Sequence, residues 1–171
     1  MQKISKFEKI SKENYIRDFL SIFPEKNEDE ILKYYENITL PKRATKFSAG
    51  YDFFSPIDFL LKKNEEIIIP TGIRVHMNND FVLLLFPRSS LGIKFRLQLN
   101  NTVGVIDADY YYSDNEGHIL VKLTNDSIEE KICKIKQNEA FCQGIFLMYG
   151  ITEDDCSSEI RNGGFGSTNE K

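Results

Sequence analysis

Cysteine is scarce in this 171-residue chain, with three copies, and histidine scarcer, with two. Cys133, Cys142 and Cys156 are odd in number and show no CxxC spacing, which argues against a disulfide framework or a zinc knuckle. His76 and His118 lie far apart, so no His-rich metal site is expected, and both read as ordinary surface or strand histidines. The longest near-continuous apolar run, Phe81–Phe86, is too short to span a bilayer. Residues 1–10 carry lysines but neither an apolar stretch nor a small-residue cleavage site, so no signal peptide is expected. An excess of positive charge is also missing: 22 Lys and Arg face 26 Asp and Glu, a net charge of −4. Phosphate neutralisation along a nucleic acid needs clustered cations, so a general nucleic-acid binder is not expected, although a local pocket could hold one small anion. No Gly-Lys-Ser/Thr occurs in the Gly-rich stretch at the C-terminal end, which excludes a Walker loop there.

What remains is an ordinary globular composition, 41% hydrophobic and 28% charged. The length suits one domain spanning residues 1–171, burying about 70% of its unfolded surface. Lys3–Ser11 alternates weakly and suggests an edge strand. Ile16, Phe19, Leu20 and Phe23 recur at helical spacing, as do Ile31, Leu32, Tyr34 and Tyr35. Asn27 before Glu28, Asp29 and Glu30 gives an N-cap with an acidic first turn. Pro24 separates the two, so a helical hairpin over about 14–37 is expected. Beyond Pro41 short β-rich runs alternate with turns: Tyr51–Phe54, Glu66–Ile69, Ile73–Met77, Phe81–Phe86, Leu97–Leu99, His118–Thr124, Lys131–Ile135 and Ala140–Tyr149. That texture predicts an all-β sandwich, jelly roll or barrel. Residues 157–171 have little apolar content and read as a mobile arm unless something orders them.

Four stretches interrupt the strands with small and polar residues: Ser48–Asp52, Pro87–Gly92, Asn101–Tyr110 and Arg161–Thr168. Each has a plain structural explanation. Asp52 after Ala-Gly is a common turn carboxylate, Arg-Ser-Ser a common polar loop, and glycine-rich ends are often flexible. Asp107 and Asp109, two apart on a strand, would share a face as a solvated pair. Together they fit one task. Arg88 with Ser89 and Ser90 offers a fork and neutral donors to phosphate oxygens. Glycines with Ser167 and Thr168 can form a nest for more phosphate, and Arg161 adds a cation. Phe165 can lie flat on a base, a contact worth about 1–3 kcal/mol. Asp107 is a candidate base for water, and Asp52 a candidate partner for a hydrated metal. Phosphates, a base, a water and a metal suggest nucleotide hydrolysis.

With Gln143-Gly144-Ile145-Phe146, these stretches resemble the five ordered motifs of the trimeric dUTP pyrophosphatases (dUTPases), from about Leu40 to Thr168. The resemblance implies a jelly-roll homotrimer with active sites shared between subunits, and the three cysteines, read as reduced thiols, suggest a cytoplasmic setting. It implies Mg²⁺-dependent cleavage of dUTP to dUMP and pyrophosphate, which limits uracil in DNA and supplies dUMP for thymidylate synthesis. Asp107 then activates the water that attacks the α-phosphorus. Tyr110 is the sugar platform that leaves no room for a 2′-hydroxyl. Asn101, Gly104, Val105 and Ile106 read uracil. Arg88, Ser89, Ser90 and Gln143 meet phosphates, and Asp52 reaches Mg²⁺ through water. Arg161, Phe165, Gly166, Ser167 and Thr168 form the closing arm.

Three features depart from the family pattern. The helical hairpin lies outside the common core, Tyr111–Glu116 lengthens the turn after the third motif, and Asn138-Glu139-Ala140 stands where a basic residue is usual. The hairpin is a candidate docking surface for a protein partner, or a solvated decoration. Two other readings remain: a dCTP deaminase of the same fold, and a regulatory interaction module.

Overall fold

The computed structural model describes residues 2–158. In chain order the elements begin with β1 (Ser5–Lys9), α1 (Lys12–Ile22), α2 (Glu28–Glu36), β2 (Lys42–Arg43), β3 (Tyr51–Phe54), β4 (Phe59–Leu61), β5 (Glu66–Pro70) and β6 (Ile73–Met77). They continue with β7 (Phe81–Pro87), α3 (Ser89–Phe95), β8 (Leu97–Leu99), β9 (Gly104–Ile106), a 3-10 turn (Ala108–Tyr112), β10 (Leu120–Asn125), β11 (Cys133–Ile135) and β12 (Ala140–Met148). The strands pair antiparallel in sheets ordered β2-β3-β12-β7-β9, β5-β10-β8, β1-β6 and β11-β4.

Period-two alternation places the core. Ile73, Val75 and Met77 point inward from β6 while Arg74 and His76 point out, and Leu83 and Leu85 do the same from β7. They meet Phe53, Ile69, Val121, Leu123 and Phe141 in one continuous cluster. Cys133 and Cys142 are buried free thiols whose burial pushes their pKa values up, and Cys156 is exposed and free.

Both expected helices form, with shifted ends. Ser11 Oγ caps α1 by accepting from the Asn14 N–H at 3.2 Å. Asn27 caps α2 by accepting from the Glu30 N–H at 3.0 Å, and the acidic first turn faces the positive end of the helix dipole. The hairpin is joined to the core by aromatics. Tyr15 and Phe19 are wholly buried, 5.5 Å apart, with Phe19 stacked on Tyr34 at 5.6 Å. Gly72, between β5 and β6, packs against Tyr15 of α1 and against Ile38. Its φ is +70°, and a Cβ there would lie 2.3 Å from Ile38 and 3.0 Å from Tyr15.

The all-β expectation needs correction, because the described residues form a mixed β/α fold. The hairpin was legible, but α3 and the 3-10 turn were not. Arg88-Ser89-Ser90, expected to form a polar loop, instead leads into a helix over Ser89–Phe95, closed by Arg96 in the left-handed region at φ 49°. β2 and β4 are not among the expected strands, and β9 ends at Ile106, short of the strand expected to carry Asp107 and Asp109. His118 and Ile119 precede β10 rather than opening it, and β11 starts at Cys133, not Lys131. Among the described residues β1 pairs only with β6, as an edge strand should.

Candidate active site

Three of the sequence motifs converge at one end of the five-stranded sheet. β12 lies between β3 and β7, setting Gln143 opposite Asp52 on one side and Phe86 on the other. Arg88 follows the last residue of β7, and its Nε lies 3.3 Å from Asp52 Oδ1. Gln143 Nε2 donates to the Pro87 carbonyl at 3.3 Å, beneath that pair. The Arg88 side chain is 38% exposed and that of Asp52 17%, so the guanidinium keeps a solvent-facing side. Ser89 and Ser90, both exposed, open α3 next to it. A guanidinium, two hydroxyls and a side-chain amide in one place can receive an anion with several oxygens. The half-buried Asp52 carboxylate also suits a hydrated Mg²⁺, which keeps most of its waters and takes few protein ligands. Among the described residues no group of three or more His, Cys, Asp or Glu could cage a metal.

The third motif is arranged along β9. Asn101 is exposed in the turn before β9, where Thr102 adopts φ 67° and the Val103 N–H donates to the Asn101 carbonyl at 2.7 Å. Gly104 packs so closely on Leu85 that a Cβ would lie 3.0 Å from the leucine Cβ. Val105 is 53% exposed and Ile106 half-buried. Asp107 comes next, and here the shared-strand reading of Asp107 and Asp109 is corrected. Asp107 is the residue that precedes the 3-10 turn, and its carbonyl accepts from the Tyr110 N–H at 3.2 Å. Asp109 lies within that turn, so the strand rule for a common face does not apply.

Tyr110 is 7% exposed, and its hydroxyl donates to the His118 carbonyl at 2.8 Å. Asn115 Nδ2 donates to the same hydroxyl at 2.8 Å. Any ligand contact of Tyr110 therefore falls to its ring. Gly117 closes the surrounding turn at φ +71°, where a Cβ would sit 2.8 Å from the Tyr110 carbonyl oxygen.

Within one chain these groups fall into two separate places. β9 pairs with β7 so that Ile106 is level with Leu83, which puts Asp107 near the level of Val82. Arg88 is six residues further along, about 20 Å at roughly 3.3 Å per residue. A ligand phosphate held at Arg88 is thus out of reach of the same chain's Asp107. Arg161, Phe165, Gly166, Ser167 and Thr168 lie outside the described residues. A groove of about 640 Å³ lined by Lys3, Arg43, Phe47, Ser48, Tyr51 and Phe146 passes the first motif but touches neither Arg88 nor Asp107.

Sequence reading missed one buried polar pair. His118 is wholly buried, its Nδ1 lies 2.7 Å from Asp18 Oδ2 on α1, and its Nε2 accepts from the Gly72 N–H at 2.9 Å. The Gly72 bond requires a bare Nε2, so the proton sits on Nδ1 and is donated to Asp18. Nothing in the spacing marks two residues a hundred positions apart. Burial pushes His118 below its ordinary 6.5, against the pull of Asp18; Arg17 lowers it further and Glu116 raises it. Desolvation is the largest single influence on Asp18 and raises it, but the bonds and charges of His118 and Arg17 together outweigh it and hold the carboxyl below its ordinary 3.8. Below about pH 6.5 the unfolded chain takes up a proton at His118 that the fold resists, so stability is full above that pH and falls below it. Asp18 adds its own loss only at lower pH. The thermal midpoint of the protein is expected to drop more between about pH 7.5 and about 5.5 than that of His118→Gln, whose amide does not titrate. Equal drops in the two proteins would show that another group carries the acid sensitivity.

A mixed β/α fold that gathers an anion-receiving cluster at one sheet end and a carboxylate at the other defines a candidate phosphate-handling enzyme. Comparison with known proteins narrows the class. The dUTPase family model matches residues 36–169. A deoxyuridine 5'-triphosphate nucleotidohydrolase of Lactococcus lactis is 40% identical over 144 residues, covering 81% of this chain and 95% of the relative. The crystal structure of a dUTPase from Streptococcus mutans superposes with a TM-score of 0.64 at 32% identity, covering 86% of this chain and 98% of that one. A dUTPase from phage phi11 of S. aureus, whose structure describes the coordination of a structural Mg(II) ion, shares the fold at a TM-score of 0.63 and 20% identity, over 92% of this chain and 98% of its own. The chain belongs to the dUTPase family. Its fold is homologous to the family's jelly roll, and its activity is of the family's type, hydrolysis of a nucleoside triphosphate. Among the described residues no helix is long and apolar enough to cross a membrane.

Proposed function

We propose that the protein hydrolyses dUTP to dUMP and pyrophosphate in a homotrimer whose sites are shared between chains. The likeness to the Lactococcus lactis dUTP nucleotidohydrolase over nearly its whole length carries this reading. The separation of Arg88 from Asp107 along the sheet supports the sharing: one chain supplies the phosphate cluster and a neighbour the third motif.

In this arrangement Arg88, Ser89, Ser90 and Gln143 hold the phosphates of dUTP, Arg88 by charge-assisted bonds. Asn101 pairs with the uracil edge, and Gly104, Val105 and Ile106 form a wall too close for thymine's methyl. The Tyr110 ring lies under the deoxyribose. Asp107 accepts a proton from a water as that water attacks the α-phosphorus, and pyrophosphate leaves. Asp52 would hold Mg²⁺ through water, and a bound Mg²⁺ would neutralise charge on the phosphates. Arg161 and Phe165–Thr168 would close over the nucleotide and exclude bulk water.

Attack at the α-phosphorus predicts where the water oxygen goes. A single turnover of dUTP in ¹⁸O-labelled water should place the label in dUMP and none in pyrophosphate. Label in pyrophosphate would mean attack at the β-phosphorus and would overturn the assignment of Asp107 to an α-phosphate water.

A further inference from the structure

Two departures from the family pattern lie in segments that contact each other, residues 5–18 and residues 110–118, and one of the contacts leads through His118 to Tyr110. Asp18 on α1 accepts from His118 Nδ1 at 2.7 Å, and the His118 carbonyl accepts from the Tyr110 hydroxyl at 2.8 Å. The Ser11 N–H, at the start of α1, donates to Glu116 Oε2 at 2.7 Å. The Tyr111 hydroxyl donates to Glu8 Oε2 at 2.7 Å, and the Arg74 guanidinium lies over the Tyr111 ring at 4.4 Å. Lys6 and the Tyr111 hydroxyl hold the Glu8 carboxyl down at about 2, so this contact stays ionised. Residues 5–18 thus grip residues 110–118 at three points.

We propose that Asp18, acting through His118, is a positioning residue for Tyr110 and thereby sets how strictly the enzyme rejects a ribose 2′-hydroxyl. The proposal rests on the reading of Tyr110 as the sugar platform. His118 is wholly buried and the Asp18 side chain is 14% exposed, so bulk water has little access to replace a lost bond. One residue is fixed at both ends. Its ring is held by Asp18 and by the Gly72 N–H, and its carbonyl fixes the phenol. Asn115 ties the same parts together: its Nδ2 donates to the phenol, and its carbonyl accepts from the His118 N–H at 3.1 Å. Release of the ring from α1 lets the carbonyl shift, and the phenol with it. A steric gate tolerates little such movement.

The test compares kcat/KM for dUTP with kcat/KM for UTP in the full-length protein. Asp18→Ala, which strands the Nδ1–H of His118, should raise UTP turnover relative to dUTP about tenfold. Asp18→Asn keeps an oxygen that accepts from Nδ1 and should hold the ratio within about twofold. Leu61→Ala, in the core of β4, should lower the thermal midpoint yet leave the ratio unchanged. An unchanged ratio in Asp18→Ala, or an equal change in Leu61→Ala, would overturn the positioning role. Relaxation by Asp18→Ala with recovery in Asp18→Asn would sustain it. An unaltered protein that does not hydrolyse dUTP would overturn the functional reading itself, a separate result seen before any variant is made.

Discussion

Asp107→Asn is expected to lower kcat for dUTP by about 10²–10⁴-fold while KM changes little. The amide is nearly isosteric with the carboxylate but cannot take a proton from water. The fold should survive, because the bond that starts the 3-10 turn is made by the Asp107 backbone carbonyl, which the substitution leaves in place. The loss should therefore appear in the chemical step of a protein that still folds. Stopped-flow proton release at neutral pH, read beside the melting curve, separates the two. Near-parent turnover by Asp107→Asn would remove this residue from the water-activating role.

Mixing two inactive proteins should restore activity. Arg88→Gln removes the cation from the phosphate cluster, and Asp107→Asn removes the base at the other end of the sheet. Each homotrimer should be strongly impaired. If a site takes Arg88 from one chain and Asp107 from another, random equal mixing gives an intact Arg88 at half the sites. Half of those also carry an intact Asp107, so about a quarter of all sites recover. With both groups from one chain, every site would keep one defect. The registers oppose that second case, since they set the two groups about 20 Å apart along a single sheet. Activity that stays at the parents' mean after subunit exchange has been verified would reject the shared site.

The legible parts of the fold were those with a strong local signal. The period-two strands Tyr51–Phe54, Ile73–Met77 and Leu97–Leu99 stand within the bounds their patterns suggest. Asn27 with three acids behind it marked the start of α2. α3 was not legible, because Ser-Ser-Leu-Gly mixes poor helix formers with the residues a loop would have, and Arg96 must take a left-handed conformation to end it. β4, Phe-Leu-Leu, carries no apolar–polar alternation, so no strand period registers there. At the site, residue types pointed to Asp52 and Arg88 and the family resemblance to Gln143, and the pairing of β12 with β3 and β7 is what brings them together. The Asp18–His118 pair was invisible for the same reason in reverse. An aspartate in a helix and a histidine near a strand carry no mutual signal until the chain has folded.

The most direct measurement of the central claim is pyrophosphate release from dUTP, dCTP, dTTP and UTP, each with and without Mg²⁺, with ammonia followed in parallel. The account predicts rapid pyrophosphate release from dUTP in the presence of Mg²⁺, much slower release from the other three, and no ammonia from dCTP. Ammonia from dCTP, or pyrophosphate released equally from all four nucleotides, would contradict it.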